Sequence, residues 1–404
     1  MKTNQNHNTE RSGTRKKAKS RFRRVNDWLH LWLGLASGII VFIVCITACI
    51  WAFNEELIRL FQPEINVEIQ DKPVLIPSEI QRYSRAIFPD KRVIYADYLQ
   101  GRAIYAGVGE KNEEHYILKL HPYTGEVLRT EKYGAGENDF FYFILQGHRF
   151  LWLPYQIGRP LVNYGTLVFV IILITGIIWW YPKKWNKTKV KKNFTIRWNA
   201  SFKRLNVDLH NVLGFYAMLV LLVMALTGVV WGIEWYNRGV YWITSAGKEL
   251  PHWVRPESDS LDAKTDYPAT QMMDSAWHKV IAEYAEAEGF YYRYPDTTNI
   301  TSPINIIVYP ISTQFYNART FVFDRHTLEP LQSDVVAETD YDKASAAQKL
   351  RKMNFDLHVG SILGFPGKVL AFCCSLIGAS LPITGLIVWL GRKKKKKFRK
   401  SVPS

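Results

Sequence analysis

Four histidines occupy equivalent positions around apolar segments, and they are the residues best placed to carry chemistry. His30 and His210 each lie at the start of a long apolar stretch, whereas His148 and His358 each precede one. Ionisable side chains at membrane depth are costly and usually functional. Neutral imidazole is also a common ligand of haem iron and of metal ions. Each histidine alone is equally well explained as an interfacial or capping residue, so the argument depends on their arrangement.

An internal repeat sets that arrangement. Residues 24–34 and 204–214 both fit R-x-N-x-x-x-H-x-x-x-G. A threonine follows each of these histidines by 17 residues, and a tryptophan follows each threonine by four. The two pairs are Thr47 with Trp51 and Thr227 with Trp231.

The other two apolar stretches match each other as well. They contain Thr175-Gly-Ile-Ile-Trp179 and Thr384-Gly-Leu-Ile-Val-Trp389, which follow His148 by 27 residues and His358 by 26. The alternation indicates a duplicated unit of helix, insert and helix.

Four apolar stretches, 29–53, 161–181, 209–235 and 369–390, predict membrane-spanning helices. Each can cross about 30 Å of hydrocarbon at about 1.5 Å per residue. Buried core helices of a soluble protein are the competing interpretation. That interpretation is disfavoured because these stretches carry almost no ionisable side chains.

The net charge of +16 is concentrated in tracts 15–24, 183–204 and 392–400, none of which contains an acidic residue. All three lie on one side if the spans alternate in direction, which is the positive-inside pattern. We therefore expect a multi-pass membrane protein with both termini in the cytoplasm. Attraction to anionic lipid explains the remaining basicity, and nucleic acid is not an expected partner.

The two inserts, residues 57–147 and 236–357, are predicted to be small extracytoplasmic α+β domains, each with an antiparallel sheet. Ser78 and Thr270 are expected to cap a helix in each insert. Residues 121–128 and 324–331 have related turn sequences. The fold class is thus an all-α membrane bundle of four transmembrane helices in a duplicated arrangement, with two α+β inserts.

This interpretation divides the chain into nine segments. They are a basic tail (1–24), helix 1 (25–56), the first insert (57–147), a re-entry segment with helix 2 (148–182), a basic loop (183–205), helix 3 (206–235), the second insert (236–357), a re-entry segment with helix 4 (358–391) and a basic tail (392–404).

Topology predicts two histidine pairs, His30 with His210 near one membrane face and His148 with His358 near the other. The helices that begin near His30 and His210 continue for 17 residues to their threonines, a length of about 25 Å. The two layers of histidines are therefore separated by most of the bilayer. Two histidines from facing helices suit a six-coordinate haem iron. Zinc, the alternative, favours a compact set of four ligands.

Neighbouring residues support the haem interpretation less specifically. Gly34 and Gly214 leave space one turn after their histidines. Asp27, Asp208 and Asp356 are candidates either for hydrogen bonding to the histidine rings or for helix capping. Several aromatic residues near the joints could pack on a macrocycle, although an aromatic belt at the membrane interface explains most of them. They are Trp28, Trp32, Phe150, Trp152 and Phe355.

The ordered set of His-x-x-x-Gly starts, Thr-Gly-x-x-Trp ends and Pro-Tyr-Thr-Gly-Glu-like turns resembles the PepSY-associated transmembrane family over about 21–390. That family includes inner-membrane reductases of ferric siderophores. The resemblance implies a protein of the bacterial inner membrane whose periplasmic inserts are PepSY-like. It also implies two b-type haems with His30, His148, His210 and His358 as axial ligands. Two departures from the pattern are Ala48, where the other ends have glycine, and Leu328, where the first turn has Gly125.

The resemblance implies transmembrane electron transfer through the two haems to a periplasmic ferric chelate during iron uptake. Non-covalent haem is expected because there is no C-x-x-C-H motif. No dinucleotide fingerprint or flavin module is present, so the electron donor would be quinol or a separate cytoplasmic reductase. Two alternatives remain. One is a non-redox anchored protein whose inserts bind a peptide, a protease or an envelope component, and the other is a transporter.

Overall fold

The computed structural model describes residues 20–110, 114–133, 140–181, 186–259, 268–332 and 335–401. Four helices in these ranges are long and apolar enough to cross a membrane: Arg21–Trp51, Tyr155–Trp180, Phe202–Val230 and Ser361–Arg392. They overlap all four predicted stretches, so the prediction of four helices long and apolar enough to span a membrane is confirmed. Residues 15–19 and 183–185 of the predicted basic tracts lie outside the described ranges.

The helices in chain order are α1 (Arg21–Trp51), α2 (Asn54–Phe61), α3 (Pro77–Ile87), α4 (Phe140–Phe150), α5 (Tyr155–Trp180), α6 (Lys187–Phe194), α7 (Phe202–Asp208), α8 (Gly214–Val230), α9 (Glu234–Thr244), α10 (Ala269–Glu283), α11 (Val335–Glu338), α12 (Ala346–Lys352), α13 (Asn354–Val359) and α14 (Gly364–Ser401). A π-helical turn, Leu209–Leu213, joins α7 to α8 within the third span. Helix α14 continues through the predicted C-terminal tail as far as Ser401.

Helix α1 packs against α5 and α14, and α8 packs against the same two helices. Apolar side chains fill the middle of this bundle, including Val41, Phe169 and Leu221. Large apolar residues such as Ile39 and Leu219 are exposed on the outside of the bundle. That distribution suits helices surrounded by lipid, where apolar residues face outwards as well as inwards.

The seven strands are β1 (Val93–Leu99), β2 (Ile104–Val108), β3 (His115–Leu120), β4 (Val127–Tyr133), β5 (Gly289–Arg293), β6 (Ile304–Tyr309) and β7 (Arg319–Phe323). They form one antiparallel sheet in the order β4-β3-β2-β1-β5-β6-β7. The expectation of a separate sheet in each insert is therefore wrong. The first strands of the two inserts pair with each other, from Tyr95 opposite Arg293 to Leu99 opposite Gly289. If the two inserts formed separate sheets, β1 and β5 would each be an edge strand with unpaired backbone N–H and C=O groups. The pairing of β1 with β5 removes both of these edges.

One face of the sheet is covered by α3 and α10. Alternate residues of the strands point into this core, as expected for a period of two. Trp277 of α10 is fully buried and stacks on Tyr98 of β1, with ring centroids 4.5 Å apart. The core is thus shared by both inserts.

Both predicted helix caps are wrong by two residues. Helix α3 begins at Pro77, and Ser78 lies inside it, where its backbone N–H donates to Asp274 Oδ1 at 3.0 Å. Helix α10 begins at Ala269, so Thr270 is likewise inside the helix. Proline is favoured at the first position of a helix because a backbone N–H at that position has no acceptor within the helix, so little is lost when it is absent.

The related turns adopt the same geometry. Gly125 N–H donates to the His121 carbonyl and Leu328 N–H to the Asp324 carbonyl, both at 3.0 Å. Gly125 has φ 76° and Leu328 has φ 61°. Leucine therefore occupies a left-handed conformation that glycine adopts at little cost.

Polar contacts join the sheet to the segment that follows α1. Lys119 Nζ donates to Glu131 Oε1 at 2.8 Å and to Gln62 Oε1 at 2.5 Å. Arg102 pairs with Asp97 at 2.7 Å and with Glu55 of α2 at 3.5 Å. Lys119 and Arg102 are almost completely buried, so their charges require these partners.

Candidate functional site

The structure brings the four histidines together in two facing pairs. His30 of α1 and His210 of the π-helical turn form the sheet-distal pair, with ring centroids 6.4 Å apart and planes at 79°. His148 of α4 and His358 of α13 form the sheet-proximal pair, with centroids 6.2 Å apart and planes at 64°. Each pair takes one histidine from each half of the chain.

Each imidazole is held at Nδ1 by a threonine of a neighbouring helix. The Nδ1–Oγ1 distances are 3.2 Å for His30 and Thr175, 3.3 Å for His148 and Thr47, 2.9 Å for His210 and Thr384 and 3.2 Å for His358 and Thr227. Each threonine hydroxyl lies within 2.9 Å of the carbonyl four residues earlier, to which it donates. Its oxygen is therefore an acceptor toward the histidine.

Backbone carbonyls fix the same ring orientation. Nδ1 lies 3.2 Å from the Ile172 carbonyl at His30, 3.0 Å from Val44 at His148 and 2.9 Å from Met224 at His358. A carbonyl only accepts, so Nδ1 carries the proton in this arrangement. The lone pair is then on Nε2. In this tautomer the imidazole can bind a metal ion through Nε2.

Three of the four corners contain an asparagine four residues before the histidine. The side chains of Asn26, Asn206 and Asn354 are buried and donate to main-chain carbonyls. Their acceptors are Thr175 at 3.1 Å, Thr384 at 3.0 Å and Thr227 at 3.2 Å, which are the same threonines that contact the histidines. Each corner is thereby clamped to the threonine-bearing helix at two points.

The glycine after each of these threonines makes room for the ring. A Cβ added at Gly176, Gly228 or Gly385 would lie 3.2, 3.1 or 3.3 Å from the Cε1 atom of His30, His358 or His210, respectively. Such contacts are tighter than ordinary van der Waals distances, so a side chain would push on the imidazole. This accounts for the Thr-Gly pairs seen in the sequence.

A cavity adjoins each histidine pair. The sheet-distal cavity measures about 430 Å³ and is lined by both histidines, Gly34, Gly214 and tryptophans that include Trp179. A Cβ at Gly34 would meet no atom within 4 Å, so this glycine opens directly onto free space. Both cavities fall within the range of about 300–1,000 Å³ that is typical of ligand and cofactor sites.

The sheet-proximal cavity measures about 500 Å³ and is lined by His148, His358, Trp51 and Trp231, among others. Val41 and Phe169 line both cavities, so they form the wall between them. The two sites are therefore separate but share one layer of apolar side chains.

The ring separations fit one metal ion between each pair. A metal–imidazole bond is about 2 Å and the ring nitrogen lies about 1 Å from the centroid, so two ligands on opposite sides of one ion have centroids about 6 Å apart. The observed separations match this value. The described residues contain no group of three or more His, Cys, Asp or Glu that could hold a metal, which disfavours a compact zinc site.

Two of the three predicted aspartates have roles other than those expected. Asp208 pairs with Arg204 at 2.5 Å and with Arg197 at 3.4 Å. Asp356 accepts from the backbone N–H groups of Phe315 at 3.1 Å and Tyr316 at 2.7 Å, so it caps a short turn outside its own helix. Asp27 lines the sheet-distal cavity.

The predicted aromatic residues are also largely elsewhere. Trp28 and Trp32 are exposed on α1 and are not among the residues that line either cavity. Phe355 is the one predicted aromatic residue found in a cavity wall. The cavities are also lined by the four tryptophans of the repeat and by Trp180. The sequence contained a signal for the repeat tryptophans, because each follows its threonine by four residues, or by five at Thr384.

Comparison with known protein families finds that the PepSY-associated TM region matches residues 28–392. No curated protein matches the chain.

Proposed function

The chain belongs to the PepSY-associated TM region family, and from this premise we propose that it is a membrane haemoprotein that transfers electrons across the bilayer. In this proposal His30 and His210 bind one b-type haem and His148 and His358 bind a second. The sheet domain lies outside the inner membrane, and both termini are cytoplasmic. The acceptor is a ferric chelate near the sheet domain, and the donor is quinol or a cytoplasmic reductase.

The observation that carries the proposal is the geometry of the two pairs. Both have centroid separations suited to an intervening metal, and every Nδ1 is engaged so that Nε2 is available. When bound, haem supplies an iron that alternates between the ferric and ferrous states. The protein contributes ligands of fixed tautomer, cavities between helices and an apolar surrounding.

Residues between and beyond the pairs suit the transfer of electrons. Val41 and Phe169 line both cavities and belong to the apolar cluster that packs between them. Beyond the sheet-proximal pair, the rings of Trp231 and His358 are in contact, with centroids 5.1 Å apart. The rings of Phe355 and Phe315 are also in contact, with centroids 4.8 Å apart. Aromatic packing is thus continuous from the sheet-proximal pair to the segment beside β6, because Phe315 also contacts Tyr309.

The alternative function, a non-redox anchor for a binding domain, does not account for these features. Anchoring needs only apolar helices of sufficient length. It requires neither four histidines in facing pairs nor the buried asparagines that clamp three of them. A haem-free preparation would nevertheless favour it.

The test is the haem content of protein purified in detergent from haem-replete cells. We expect about two non-covalent b-type haems per chain in a pyridine haemochrome assay, with six-coordinate low-spin spectra. His278→Ala, at an exposed position of α10, serves as the control and should keep both. A colourless preparation would refute the proposal.

The acceptor is tested separately with haem-loaded protein in liposomes. After chemical reduction, mixing with ferric chelates should reoxidise the haems and produce ferrous iron in equal electron equivalents. Slow reoxidation by every chelate tried would leave electron transfer in place but exclude ferric chelates as the acceptor.

A further inference from the structure

The corner at His148 differs from the other three at two independent positions. The residue four before His148 is Ile144, where the other corners have asparagine. The residue after its threonine is Ala48, where the others have glycine. Both differences fall on the same contact, between α4 and α1, and neither has a counterpart at His30, His210 or His358.

The first difference removes an interhelical hydrogen bond. Ile144 is buried and has no donor, so it cannot bond to the Thr47 carbonyl as Asn354 does to the Thr227 carbonyl. Within the described part of the chain, the polar link between the two helices at this corner is His148 Nδ1, which lies 3.0 Å from the Val44 carbonyl and 3.3 Å from Thr47 Oγ1. If the ring moves, the bonds that orient it are lost with it.

The second difference adds a methyl group where space is short. At the other three corners an added Cβ would lie 3.1–3.3 Å from the histidine Cε1. Ala48 carries a Cβ at the equivalent position and lines the sheet-proximal cavity. The face of α1 beside His148 therefore carries a methyl group that the other three corners lack.

The end of α4 supports the same conclusion. Leu151 and Trp152 follow His148 with φ values of 55° and 57°, a left-handed conformation that side chains disfavour. The Trp152 indole N–H donates to the Phe143 carbonyl at 2.8 Å, and its ring leaves no space for a side chain at Gly147. These contacts hold a disfavoured turn at the end of α4 with residues of α4 itself. At His358 the helix ends on Gly360, which adopts φ 84° at little cost.

We propose that His148 is the displaceable member of the four histidines, and that the sheet-proximal site binds a small neutral iron ligand such as carbon monoxide in its place. This inference rests on the proposed haem-binding function. With ferrous haem held at this site, carbon monoxide would take the place of His148 Nε2. One Fe–N bond would break as one Fe–C bond formed, and no electron or proton would be transferred. The sheet-distal site, with both histidines clamped, relays electrons without opening.

The experiment measures carbon monoxide binding at each site alone. H30A/H210A retains the sheet-proximal site, and H148A/H358A retains the sheet-distal site. After reduction with dithionite and titration with carbon monoxide, the Soret difference spectrum should show binding at the sheet-proximal site with at least ten-fold higher affinity. Equal binding at both sites, or binding at neither, would overturn the inference.

Exchanging the corner residues provides the matched control. In H30A/H210A, the further changes I144N and A48G should lower carbon monoxide affinity at least ten-fold, because they restore the clamp and the space. In H148A/H358A, the changes N206I and G385A should create binding at the sheet-distal site. Unchanged affinity in both exchanges would contradict the assignment to His148.

Single ligand variants give a readout that does not depend on these exchanges. H148A should retain two haems per chain, one of them five-coordinate, because His358 remains clamped. H358A should lose the sheet-proximal haem. The opposite result would make His358 the displaceable ligand. Wild-type protein without haem would refute the proposed function, whereas haem-loaded protein that binds no carbon monoxide would refute this inference alone.

Discussion

The sheet domain and the membrane bundle join the two halves of the chain in different ways. In the sheet, β1 of the first half pairs with β5 of the second through main-chain hydrogen bonds, and α3 and α10 share one filled core. In the bundle, the asparagine and threonine contacts lie within each half, and the halves present histidines to each other across cavities. Side chains fill the core of the sheet domain, whereas the cavities beside the two histidine pairs have room for an additional group.

This difference assigns stability and function to separate regions. A filled core such as that around Trp277 depends on volume, so a large truncation leaves a cavity and a loss of stability. The bundle already contains two cavities and depends on the orientation of a few polar groups. Mutations in the two regions should therefore have different observable effects.

The largest effect is expected from histidine variants that combine the two layers. His30→Ala and His210→Ala should remove or perturb the same haem, and combining them should add little, because both lie in one pair. Combining His30→Ala with His148→Ala should perturb both haems. Potentiometric titration with optical and EPR spectra measures this directly. If His30→Ala and His148→Ala affected one spectral component while His210→Ala did not, the pairing would be incorrect.

In the sheet domain, Trp277→Ala should lower the free energy of unfolding by about 3–5 kcal/mol, the usual cost of truncating a buried aromatic residue. Hydrogen exchange of the strand amides would measure the loss. The haem spectrum should be unchanged, since Trp277 contacts neither cavity. Trp253→Ala, at an exposed position, is the matched control. A shifted haem spectrum in Trp277→Ala would show that the two regions are coupled.

A smaller effect is expected at the contact between the sheet and the segment after α1. Burial alone would raise the pKa of Glu131, but hydrogen bonds from Lys119, Gln62 and Arg129 hold that pKa below its ordinary value. The ionised Glu131 side chain therefore contributes its full stabilisation above about pH 4.3, the pKa of glutamate in the unfolded chain. That contribution is lost as the pH falls through the pKa of Glu131 in the folded protein.

The variant Glu131→Gln should accordingly be less stable than wild type at neutral pH, with the difference shrinking below about pH 4.3. Hydrogen exchange of the β3 and β4 amides across this range would measure it. Glu286→Gln, at an exposed position, should follow wild type. A difference that grew on acidification would mean that the sign of the Glu131 shift is wrong.

Much of this architecture could be predicted because it depends on local patterns. The four spans follow from apolar length, and the presence of antiparallel strands in both inserts follows from alternation along a strand, which is visible in the sequence. The turns around Gly125 and Leu328 follow from related residues at related positions. The helix caps were less accurate because proline, serine and threonine compete for the first positions of a helix.

What the sequence by itself determined was the repeat, the four apolar spans and the alternation that places His30 with His210 and His148 with His358 at the two ends of the bundle. Only the tertiary structure decided that the inserts form one sheet, because the pairing of β1 with β5 joins residues nearly two hundred positions apart and leaves no local signature. It also decided that Asp356 holds a turn while threonines hold the histidines. Hydrogen-bond partners depend on which helix faces combine, and sequence spacing along one helix cannot specify the neighbour.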